Sequence, residues 1–509
     1  MPKVQFTLEQ VRELAGKHKV VPIIETLFST TETPLSIFEK LAAEKKGSFL
    51  LESAEQGVWA RYSFVGVNNR GALLQTDGGE VKWHSEGDLS PLPSQAEALR
   101  QTALSAVNQI QQAWTSEPLP GVPPLTSGLV GLLAWDVIRE IEKLGPAPAK
   151  DFPSPTAAMV MFQDLVIMDH HTSSILLVSN IFVENGVDLT AAYEDALIRI
   201  DLMRSDLFKP SQVLLADVDL TTKANTKSRV AEEDFLATVE KSKHYVRIGD
   251  VFQVVLSQRF DHELSASPLD VYRVLRALNP SPYMYLLNFE DENGAYSVVG
   301  SSPEALVTVT GKHAVMHPIA GSRPRGVGLE QDEEFAESLL ADNKEKAEHL
   351  MLVDLARNDL LKVCEPSSVN VTEFMKIHRF SHIMHLVSTV EGQIRDGQTP
   401  IDVFKATFPA GTLSGAPKPR ALEIIDELET SNRGIFGGVV GYFDFAGNAD
   451  VAIAIRTAFI RDGFAHVQAG AGIVLDSVPE SEHAETIAKA GAPMRAVVAA
   501  NHMVRRTNV

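Results

Sequence analysis

The chain has 509 residues, of which 44% are hydrophobic, a formal net charge of -20 and a single cysteine. This length predicts two or more domains, and the acidic charge argues against a general surface for nucleic acid or anionic membranes. The one cysteine, Cys364, excludes an intramolecular disulfide and a cysteine-rich zinc site. Because the sequence lacks an apolar signal region and a long apolar run, we expect a cytoplasmic protein.

The first part of the chain mixes short strands with helical stretches. Strands are predicted at 48–53, 61–67, 159–169 and 174–182. A polar segment rich in Asp, Thr, Lys and Glu follows, and such segments are typical of linkers. We therefore predict an N-terminal domain at residues 1–210 and a linker at residues 211–233.

From residue 234 onward, longer helices alternate with strands. Helices are predicted at 233–249, 268–278, 333–363, 401–408 and 420–430. Strands are predicted at 251–257, 283–289, 296–299, 305–309, 437–445, 451–459 and 465–474. Several of these strands are apolar on both faces, which indicates central strands under a cover of helices. The pattern predicts a large α+β domain at residues 234–509 that carries the chemistry.

Two pairs of carboxylates are the feature that most suggests a site. Glu345 and Glu348 lie three residues apart in one predicted helix, and Glu482 and Glu485 repeat this spacing near the end of the chain. Residues with this spacing share one face of a helix. If the two faces meet, four carboxylates crowd together, which favours a bound cation such as Mg2+. The spacing alone favours solvated helix faces, so both interpretations stay open until the neighbouring motifs are considered.

Two loops rich in small residues could bind a polar ligand. In residues 317–326, glycine allows close approach of the backbone, and Arg323 and Arg325 supply positive charge; an exposed turn explains these residues equally well. Residues 408–418 resemble a phosphate-binding loop, but the spacing of the glycines and the lysine is wrong for nucleotide binding. Thr412 in this loop can still donate a hydrogen bond to a polar ligand.

A third segment, residues 468–474, ends a predicted strand just before the second acid pair. Its small residues would let backbone amides reach an anion, although tight strand packing is the alternative. An anion held there would lie beside the helix of Glu482 and Glu485, whose carboxylates would repel it. A cation between them would remove this repulsion, so the segment favours a cation site over solvated helix faces. His385 could transfer a proton and Glu304 could be an acid in a pocket, although single residues of these types are more often packed or solvated without a role.

These segments together resemble the chorismate-utilising enzymes, and the resemblance covers nearly the whole chain. The motifs that carry it are residues 249–258, 300–304, 318–326, 347–359, 411–417 and 468–485. The resemblance implies an α+β fold with a large β-sandwich core and helices packed outside it. It also implies that chorismate is the substrate and that Mg2+ is the cofactor. The positions implied for the metal, between the two acidic helices, are Glu345, Glu348, Glu482 and Glu485.

The same resemblance implies roles for further residues. The implied substrate-binding positions are Gly321, Ser322, Arg456, Gly470, Ala471 and Gly472. The implied catalytic positions are Glu304, His385, Thr412 and Gln253. Of these, Glu304 matches the acid that protonates the departing ring hydroxyl. Phe436 stands where the family usually has a tyrosine, so the hydroxyl that contacts the substrate in the family is missing here.

Two positions separate the branches of this family. Enzymes that add water to the ring have a lysine where this chain has Gln253, and enzymes with a covalent lysine nucleophile have it where this chain has Ala320. Both differences favour ammonia as the nucleophile, with aminodeoxyisochorismate as the intermediate and anthranilate and pyruvate as the products. An aminodeoxychorismate synthase is the nearest alternative, and a non-catalytic tryptophan-binding regulatory subunit is the alternative from another class.

The resemblance also implies regulation and a partner. Tryptophan is expected to inhibit by binding at Leu51, Glu52, Ser53, Asn279, Pro282, Tyr283 and Met284. Because Cys364 lies outside any glutaminase motif, ammonia from glutamine requires a separate amidotransferase subunit, and we expect a hetero-oligomer. Near the end of the chain, Pro493 should kink or end the last predicted helix.

Overall fold

The computed structural model describes residues 4–53, 61–76, 79–86, 89–94, 97–210, 215–224, 227–379 and 383–506. The helices in these ranges are α1 Leu8–Ala15, α2 Pro34–Leu41, α3 Ala103–Trp114, α4 Leu189–Leu207, α5 Glu232–Arg247, α6 Pro268–Leu278, α7 Leu329–Ala341, α8 Asn343–Leu361, α9 Pro400–Thr407, α10 Lys418–Leu428 and α11 Pro479–Asn501. None of these helices has the length and apolar character needed to cross a membrane.

The described strands are β1 Val20–Phe28, β2 Ser48–Glu52, β3 Tyr62–Gln75, β4 Lys82–His84, β5 Gly128–Leu133, β6 Ala157–Asp169, β7 Ser174–Phe182, β8 Ala216–Asp217, β9 Gln253–Glu263, β10 Tyr283–Asp291, β11 Gly294–Ser302, β12 Ala305–Thr310, β13 His313–Met316, β14 Ile319–Pro324, β15 Asn370–Arg379, β16 Ile383–Gln393, β17 Gly415–Ala416, β18 Val439–Asp444, β19 Ala449–Ile453, β20 Thr457–Arg461, β21 Phe464–Ile473 and β22 Val504–Arg505. Strands β8 and β22 pair with each other, and the remaining strands belong to one large hydrogen-bonded sheet.

The alternation of side chains along the strands divides the sheet into an inner and an outer face. In β2, Phe49 belongs to a core cluster built almost wholly from strand residues, whereas its neighbour Leu50 packs in a second cluster with residues of α2, α6 and α11. In β6, Val160 faces the inner cluster and Met161 faces a third cluster that includes residues of α3, α9 and α10. Successive side chains of a strand point to opposite faces. This arrangement confirms the expected α+β fold, with a β-sandwich core and helices packed outside it.

The two halves of the chain share this sheet. Strand β2 pairs with β10, where Glu52 lies opposite Met284, and β5 pairs with β18. The predicted linker, residues 211–233, therefore does not separate two independent sheets, and it contains β8, which pairs with β22 at the end of the chain. The division into an N-terminal domain at 1–210 and a catalytic domain at 234–509 stays a prediction.

One predicted helix is wrong in a way that matters for the site. The stretch predicted as a single helix at 333–363 forms two helices, α7 and α8, which meet at Asp342. Asp342 has a non-helical backbone, and its carboxylate accepts hydrogen bonds from the amides of Lys344 and Glu345. Such a cap starts a new helix. The first acid pair therefore lies in the first turns of α8 and not in the middle of a long helix.

The strand predicted at 451–459 is also divided. Strand β19 ends at Ile453 and β20 begins at Thr457, and Arg456 between them has a φ of 53°. A residue other than glycine rarely adopts this left-handed backbone, and it cannot continue a strand. The break places Arg456 at a corner between two strands with different partners, since β19 pairs with β12 and β20 with β11.

The last helix continues through Pro493. Helix α11 runs from Pro479 to Asn501, so Pro493 does not end it, and a kink at this residue, the other expected outcome, stays a prediction. The second half of α11 is buried, and the helix packs against β21, α5 and α6. This packing outweighs the loss of one hydrogen bond within the helix, because most helix stability in proteins comes from tertiary contacts.

Candidate active site

Glu304 and Thr412 meet in a small cavity of about 40 Å³. The hydroxyl of Thr412 donates a hydrogen bond to Oε1 of Glu304 over 3.2 Å. Leu352, Leu355 and other apolar side chains form much of the wall. Burial raises the pKa of Glu304 to about 7, although the Thr412 hydrogen bond and the charge of Lys489 act in the opposite direction. Glu304 can therefore carry a proton near neutral pH and donate it to a ligand.

The loops on both sides of this pair are held against neighbouring elements. The backbone carbonyl of Glu304 accepts a hydrogen bond from the amide of Ile453 over 2.9 Å, and Ser302 Oγ donates to the carbonyl of Ile453 over 2.7 Å. On the other side, a Cβ atom at Gly411 would lie 2.7 Å from Cδ1 of Leu355. Glycine at 411 thus lets the Thr412 loop approach α8 closely enough to reach Glu304.

His385 lies on β16, part of a hairpin with β15 that the sequence did not predict. Its Nδ1 atom is 3.0 Å from the carbonyl oxygen of Gly321, which is the extra residue of a bulge in the neighbouring strand β14 and has a φ of 65°. A Cβ atom at Gly321 would lie 2.9 Å from Oε2 of Glu345. Burial and the charge of Arg456 lower the pKa of His385, so its neutral form prevails at pH 7.

The two acidic helix faces approach each other. Burial and the neighbouring charges of Glu345 and Glu485 raise the pKa of Glu348. Burial and the charge of Glu485 also raise the pKa of Glu482, against a hydrogen bond from Ser477. Within the described ranges, however, His, Cys, Asp and Glu side chains form no group of three or more that is close enough to hold a metal. The carboxylates of the two helices are near enough for the charges of Glu345 and Glu485 to act on their neighbours, but they do not form a complete set of metal ligands.

Lys489 lies among these acids, although the sequence analysis predicted no role for it. Its ammonium is 2.6 Å from Oε1 of Glu485 and donates a hydrogen bond to the carbonyl of Gly470 over 3.1 Å. The charge of Lys489 also acts to lower the pKa of Glu304, Glu348 and Glu482. Its position four residues after Glu485 on a predicted helix is the signal that could have revealed it.

Arg456 joins the second acidic helix to the region of His385. Its Nη1 atom donates a hydrogen bond to the carbonyl of Lys489 over 2.5 Å. Burial lowers the pKa of Arg456, and the charge of Glu485 opposes this shift. Together, Arg456 and Lys489 supply positive charge on the same side of the site as the second acid pair.

The side chain of Gln253 lies against β21, the strand that contains Gly470 and Gly472. Strand β21 pairs with β9 so that Gly472 lies opposite Val255, and a Cβ atom at Gly472 would lie 2.1 Å from Nε2 of Gln253. The glycine therefore leaves room for the Gln253 amide in the position that it occupies. Ala471 is fully buried in the core, backbone included, so in this structure it offers no surface to a ligand. Ser322 is exposed and lies opposite His385 in the β14–β16 register.

A second, larger cavity of about 270 Å³ lies among β2, β10, β12, β18 and β19. The predicted inhibitor residues that line it are Leu51, Glu52, Ser53, Pro282, Tyr283 and Met284. Asn279 lies outside the lining that the described residues form. Its side-chain amide instead donates a hydrogen bond to Ser301 Oγ over 3.1 Å, which holds the segment that leads to Pro282.

Two polar residues of this large cavity differ in availability. Ser53 Oγ is buried and has no hydrogen-bond partner among the described residues. The carboxylate of Glu52, in contrast, accepts hydrogen bonds from Arg276 Nη2 and from the hydroxyl of Tyr272, each over 2.7 Å. The Ser53 hydroxyl can therefore bind a ligand, whereas the Glu52 carboxylate is engaged with α6.

Several residues of the large cavity gave no signal in the sequence. Burial raises the pKa of Asp450 to about 6, and hydrogen bonds from Tyr283 and Thr308 oppose this shift. Oγ1 of Thr308 lies 3.4 Å from Oδ1 of Asp450, and Tyr442 lines the cavity beside them. These residues come from β12, β18 and β19, and only the pairing of distant strands brings them to Ser53.

The two cavities share a thin wall. Ala305 and His317 line both of them, and Ala305 directly follows Glu304 in the chain. In β19, Ala452 faces the large cavity and Ile453 faces the small one, because successive strand residues point to opposite sides. A ligand in the large cavity would therefore touch residues that also shape the surroundings of Glu304.

Phe436, which stands in place of a family tyrosine, lines neither cavity in the part of the chain that the structure describes. It is buried beside Arg433, whose guanidinium carbon lies 5.6 Å from the centre of the Phe436 ring, and it faces a separate small void with Gln468. The missing hydroxyl therefore removes no contact from the Glu304 cavity.

Known proteins resemble this chain in sequence and in fold. A family model described as chorismate binding enzyme matches residues 46–495. Anthranilate synthase component 1 from Arthrobacter globiformis is 48% identical over 497 residues, which cover 96% of this chain and 92% of that protein. The crystal structure of anthranilate synthase component I from Streptococcus pneumoniae TIGR4 is 33% identical, with a TM-score of 0.74 over 86% of this chain and 93% of that chain.

Proteins with much lower sequence identity share the fold of this chain. MenF, the menaquinone-specific isochorismate synthase from Escherichia coli, is 18% identical, with a TM-score of 0.67 over 96% of this chain and 98% of that chain. A similarity at this level shows a shared fold and says nothing about the reaction. The family model and the component 1 relatives, in contrast, match sequence over most of the chain. The chain therefore belongs to the family of chorismate binding enzymes, with anthranilate synthase component 1 proteins among its relatives.

Proposed function

We propose that this chain converts chorismate and ammonia into anthranilate and pyruvate, as the large subunit of an anthranilate synthase. The observation that carries the proposal is the Glu304–Thr412 pair, in which burial keeps a carboxyl group protonated near neutral pH. The names of the relatives support it, since proteins that match over nearly their whole length are anthranilate synthase component 1.

The proposed reaction begins when Glu304 donates its proton to the ring hydroxyl that leaves chorismate. Ammonia adds to the ring carbon next to the one that bears the carboxylate, the ring double bonds shift, and the protonated hydroxyl leaves as water. Loss of a proton from the added nitrogen gives aminodeoxyisochorismate, and loss of the hydrogen on that carbon together with the enolpyruvyl group, as pyruvate, then gives anthranilate. Neutral His385, held by the Gly321 carbonyl, is suited to a proton transfer in these steps. Gln253 cannot act as a base toward water and Ala320 offers no nucleophile, so both residues favour ammonia.

Chorismate is a dianion, and the site offers matching positive groups. Arg456 and Lys489 can pair with its carboxylates, and the half-buried Gly472 allows a ligand to approach the backbone of β21 closely. The bulge at Gly321 and the neighbouring Ser322 hydroxyl complete the proposed binding surface. The acid pairs on their own would repel such a substrate.

Mg2+ is the proposed cofactor, and Glu345, Glu348, Glu482 and Glu485 are the residues that would hold it. Their donor atoms are all oxygen, which suits a hard cation. The raised pKa values of Glu348 and Glu482 support this, because burial and, to a smaller extent, the neighbouring carboxylates disfavour their charged forms, and a cation would offset both effects. When bound, Mg2+ supplies positive charge for a substrate carboxylate and draws electron density from the ring.

Tryptophan is the proposed inhibitor, bound in the large cavity. The apolar side chains of Leu51, Pro282 and Met284 suit its indole ring, and the buried Ser53 hydroxyl suits its polar end. The shared wall of Ala305 and His317 offers a route from this cavity to Glu304.

A glutamine amidotransferase subunit is the proposed source of ammonia. The designation component 1 of the relatives supports a second component. Cys364 cannot serve as a glutaminase nucleophile, because it is buried and burial raises the pKa of its thiol to about 11.

One assay tests the proposal. The purified chain is mixed with chorismate, an ammonium salt and Mg2+, with and without tryptophan, and anthranilate is followed by its fluorescence. We expect Mg2+-dependent formation of anthranilate that tryptophan lowers. Formation of aminodeoxychorismate instead would favour the alternative synthase, and tryptophan binding without any turnover would favour a regulatory subunit.

The choice of nucleophile has its own test. Gln253→Lys introduces a base where the family's water-adding enzymes have one, so we expect part of the product to shift to isochorismate or salicylate. Unchanged anthranilate output without a new product would contradict the role assigned to Gln253.

A further inference from the structure

Pro493 removes one hydrogen bond from the interior of α11. In an α-helix, the amide of each residue donates to the carbonyl four residues earlier, and proline has no amide hydrogen. The carbonyl that loses its usual donor is that of Lys489. A proline ring at this position also crowds that carbonyl. Pro493 thus leaves the Lys489 carbonyl without its usual donor within α11, the helix that carries Glu482 and Glu485.

Arg456 uses this acceptor. Its Nη1 atom donates to the carbonyl of Lys489 over 2.5 Å. Both partners belong to the proposed substrate site, because the Lys489 side chain pairs with Glu485 and the charge of Glu485 also acts on Arg456. The hydrogen bond therefore ties a proposed substrate-binding guanidinium to the helix that carries the second acid pair.

Arg456 needs such an anchor. Its backbone has a φ of 53°, a conformation that costs energy for any residue with a side chain and persists only where neighbours impose it. The backbone end is held because the amide of Ser301 donates to the carbonyl of Arg456 over 3.2 Å. The side-chain end is a long, flexible, half-buried cation, which must be hydrogen-bonded to stay in one place. The Lys489 carbonyl provides that second point of attachment.

We propose that Pro493 is a positioning residue: by freeing the carbonyl of Lys489, it fixes the guanidinium of Arg456 for substrate binding. The inference rests on the proposed function, in which Arg456 binds chorismate. A residue with an amide hydrogen at 493 would donate a hydrogen bond to the Lys489 carbonyl. That amide would then compete with Arg456 for the same acceptor. The same substitution would strengthen the helix, so helix stability and substrate binding oppose each other at this position.

The test is Pro493→Ala in the full chain. We expect the melting temperature to rise, because alanine restores the helix hydrogen bond and has the highest helix propensity. We expect the KM for chorismate to rise about tenfold with little change in kcat, the effect of losing part of one hydrogen bond to a charged group. A proline with a merely structural role would give the higher melting temperature and an unchanged KM, and that result would overturn the inference.

Gly491→Ala is the matched control on the same helix. A Cβ atom at Gly491 meets nothing within 4 Å, so this change also strengthens α11 without touching the Lys489 carbonyl. We expect a higher melting temperature and the wild-type KM. A tenfold higher KM in this control would mean that helix stiffening alone impairs binding, and it would also overturn the inference.

A double-mutant cycle shows whether Pro493 acts through Arg456. Once Arg456→Gln has removed the guanidinium, Pro493→Ala should have no further effect on KM. Independent, multiplying effects would contradict the proposed route. Turnover of chorismate by the wild-type chain separates this inference from the proposed function. A wild-type chain without turnover would contradict both. An active wild-type chain, with an unchanged KM in Pro493→Ala, would contradict only the role of Pro493.

Discussion

The small and the large cavity each contain a carboxyl group beside a threonine, yet the two groups suit different tasks. Glu304 lies in the small cavity and accepts a hydrogen bond from Thr412, and burial raises its pKa to about 7. Asp450 lies in the large cavity, where Thr308 and Tyr283 both donate to it, and its pKa is raised to about 6. With two fixed donors, Asp450 is suited to shape a binding surface. With one, Glu304 keeps an oxygen available for a reacting hydroxyl.

Burial alone therefore does not assign a role to a carboxyl group. Burial shifts both pKa values in the same direction. The number of fixed hydrogen-bond donors then decides whether the group is held in place or can exchange a proton with a ligand. Because Ala305 and His317 line both cavities, they are the residues through which the proposed inhibition would act.

The largest expected effect comes from Glu304→Gln, which keeps the shape of the small cavity but removes the proton donor. Turnover of chorismate with ammonia should fall by about 10²- to 10⁴-fold. Tryptophan affinity, measured by calorimetry, should stay near the wild-type value. Asp450→Asn is the matched change in the large cavity and should cost far less turnover, so similar losses in the two variants would contradict the distinction.

The next effect concerns the shared wall. His317→Ala should weaken inhibition by tryptophan while tryptophan still binds, because the side chain that lines both cavities is removed. Coupling between two sites is typically about 5- to 150-fold in affinity, and most of it should disappear. Calorimetry gives the binding and the anthranilate assay gives the inhibition. Val387→Ala, which changes the large cavity only, should keep the coupling. Full inhibition in His317→Ala would refute the route.

A smaller effect is expected from Ser53→Ala in the large cavity. Tryptophan affinity should fall about 3- to 10-fold, the contribution of one neutral hydrogen bond. Since Ser53 Oγ has no partner among the described residues, its removal should leave the melting temperature unchanged or raise it. Unfolding curves and calorimetry on the same samples check both parts. A clear loss of stability would show that the hydroxyl serves the fold and not the ligand.

The smallest effect is a change in pH dependence. The protonated form of Glu304 is the proposed acid, so kcat/KM should fall as the pH rises through about 7. The hydrogen bond from Thr412 stabilises the carboxylate and lowers this pKa. Thr412→Val should therefore move the alkaline limb to higher pH, measured at a constant concentration of free ammonia. Thr308→Val, beside Asp450, should leave the limb in place, and a limb that moves to lower pH in Thr412→Val would contradict the assignment.

Elements with strong local signals were predictable. Helix α6 begins after Ser267 and includes Pro268 in its first turn, and the predicted bounds of 268–278 match the structure. The strands predicted at 159–169 and 174–182 are present as β6 and β7, and they pair with each other. The predicted inhibitor residues that line the large cavity were found only through the family resemblance, because a strand and a proline-bounded loop have no distinctive pattern of their own.

Elements whose bounds depend on tertiary contacts were not predictable. The break at Asp342 requires its carboxylate to cap α8, and the break at Arg456 requires a strained backbone that neighbouring strands impose. Strand β16, which carries His385, pairs with β15 on one side and β14 on the other, and both pairings contain irregularities of register. In each case the local sequence is compatible with a regular element, and the surrounding structure selects another.

By itself, the sequence determined the residue types that the chemistry needs: two acid pairs on helices, glycines where the backbone must approach a ligand, and Gln253 in place of a lysine. Only the tertiary structure decided which of them meet. It paired Glu304 with Thr412 and His385 with Gly321, placed Lys489 among the acids and put two cavities on opposite sides of one wall. The physical reason is that spacing along the chain sets which side chains share a face, whereas burial and strand pairing set their distances and their pKa values.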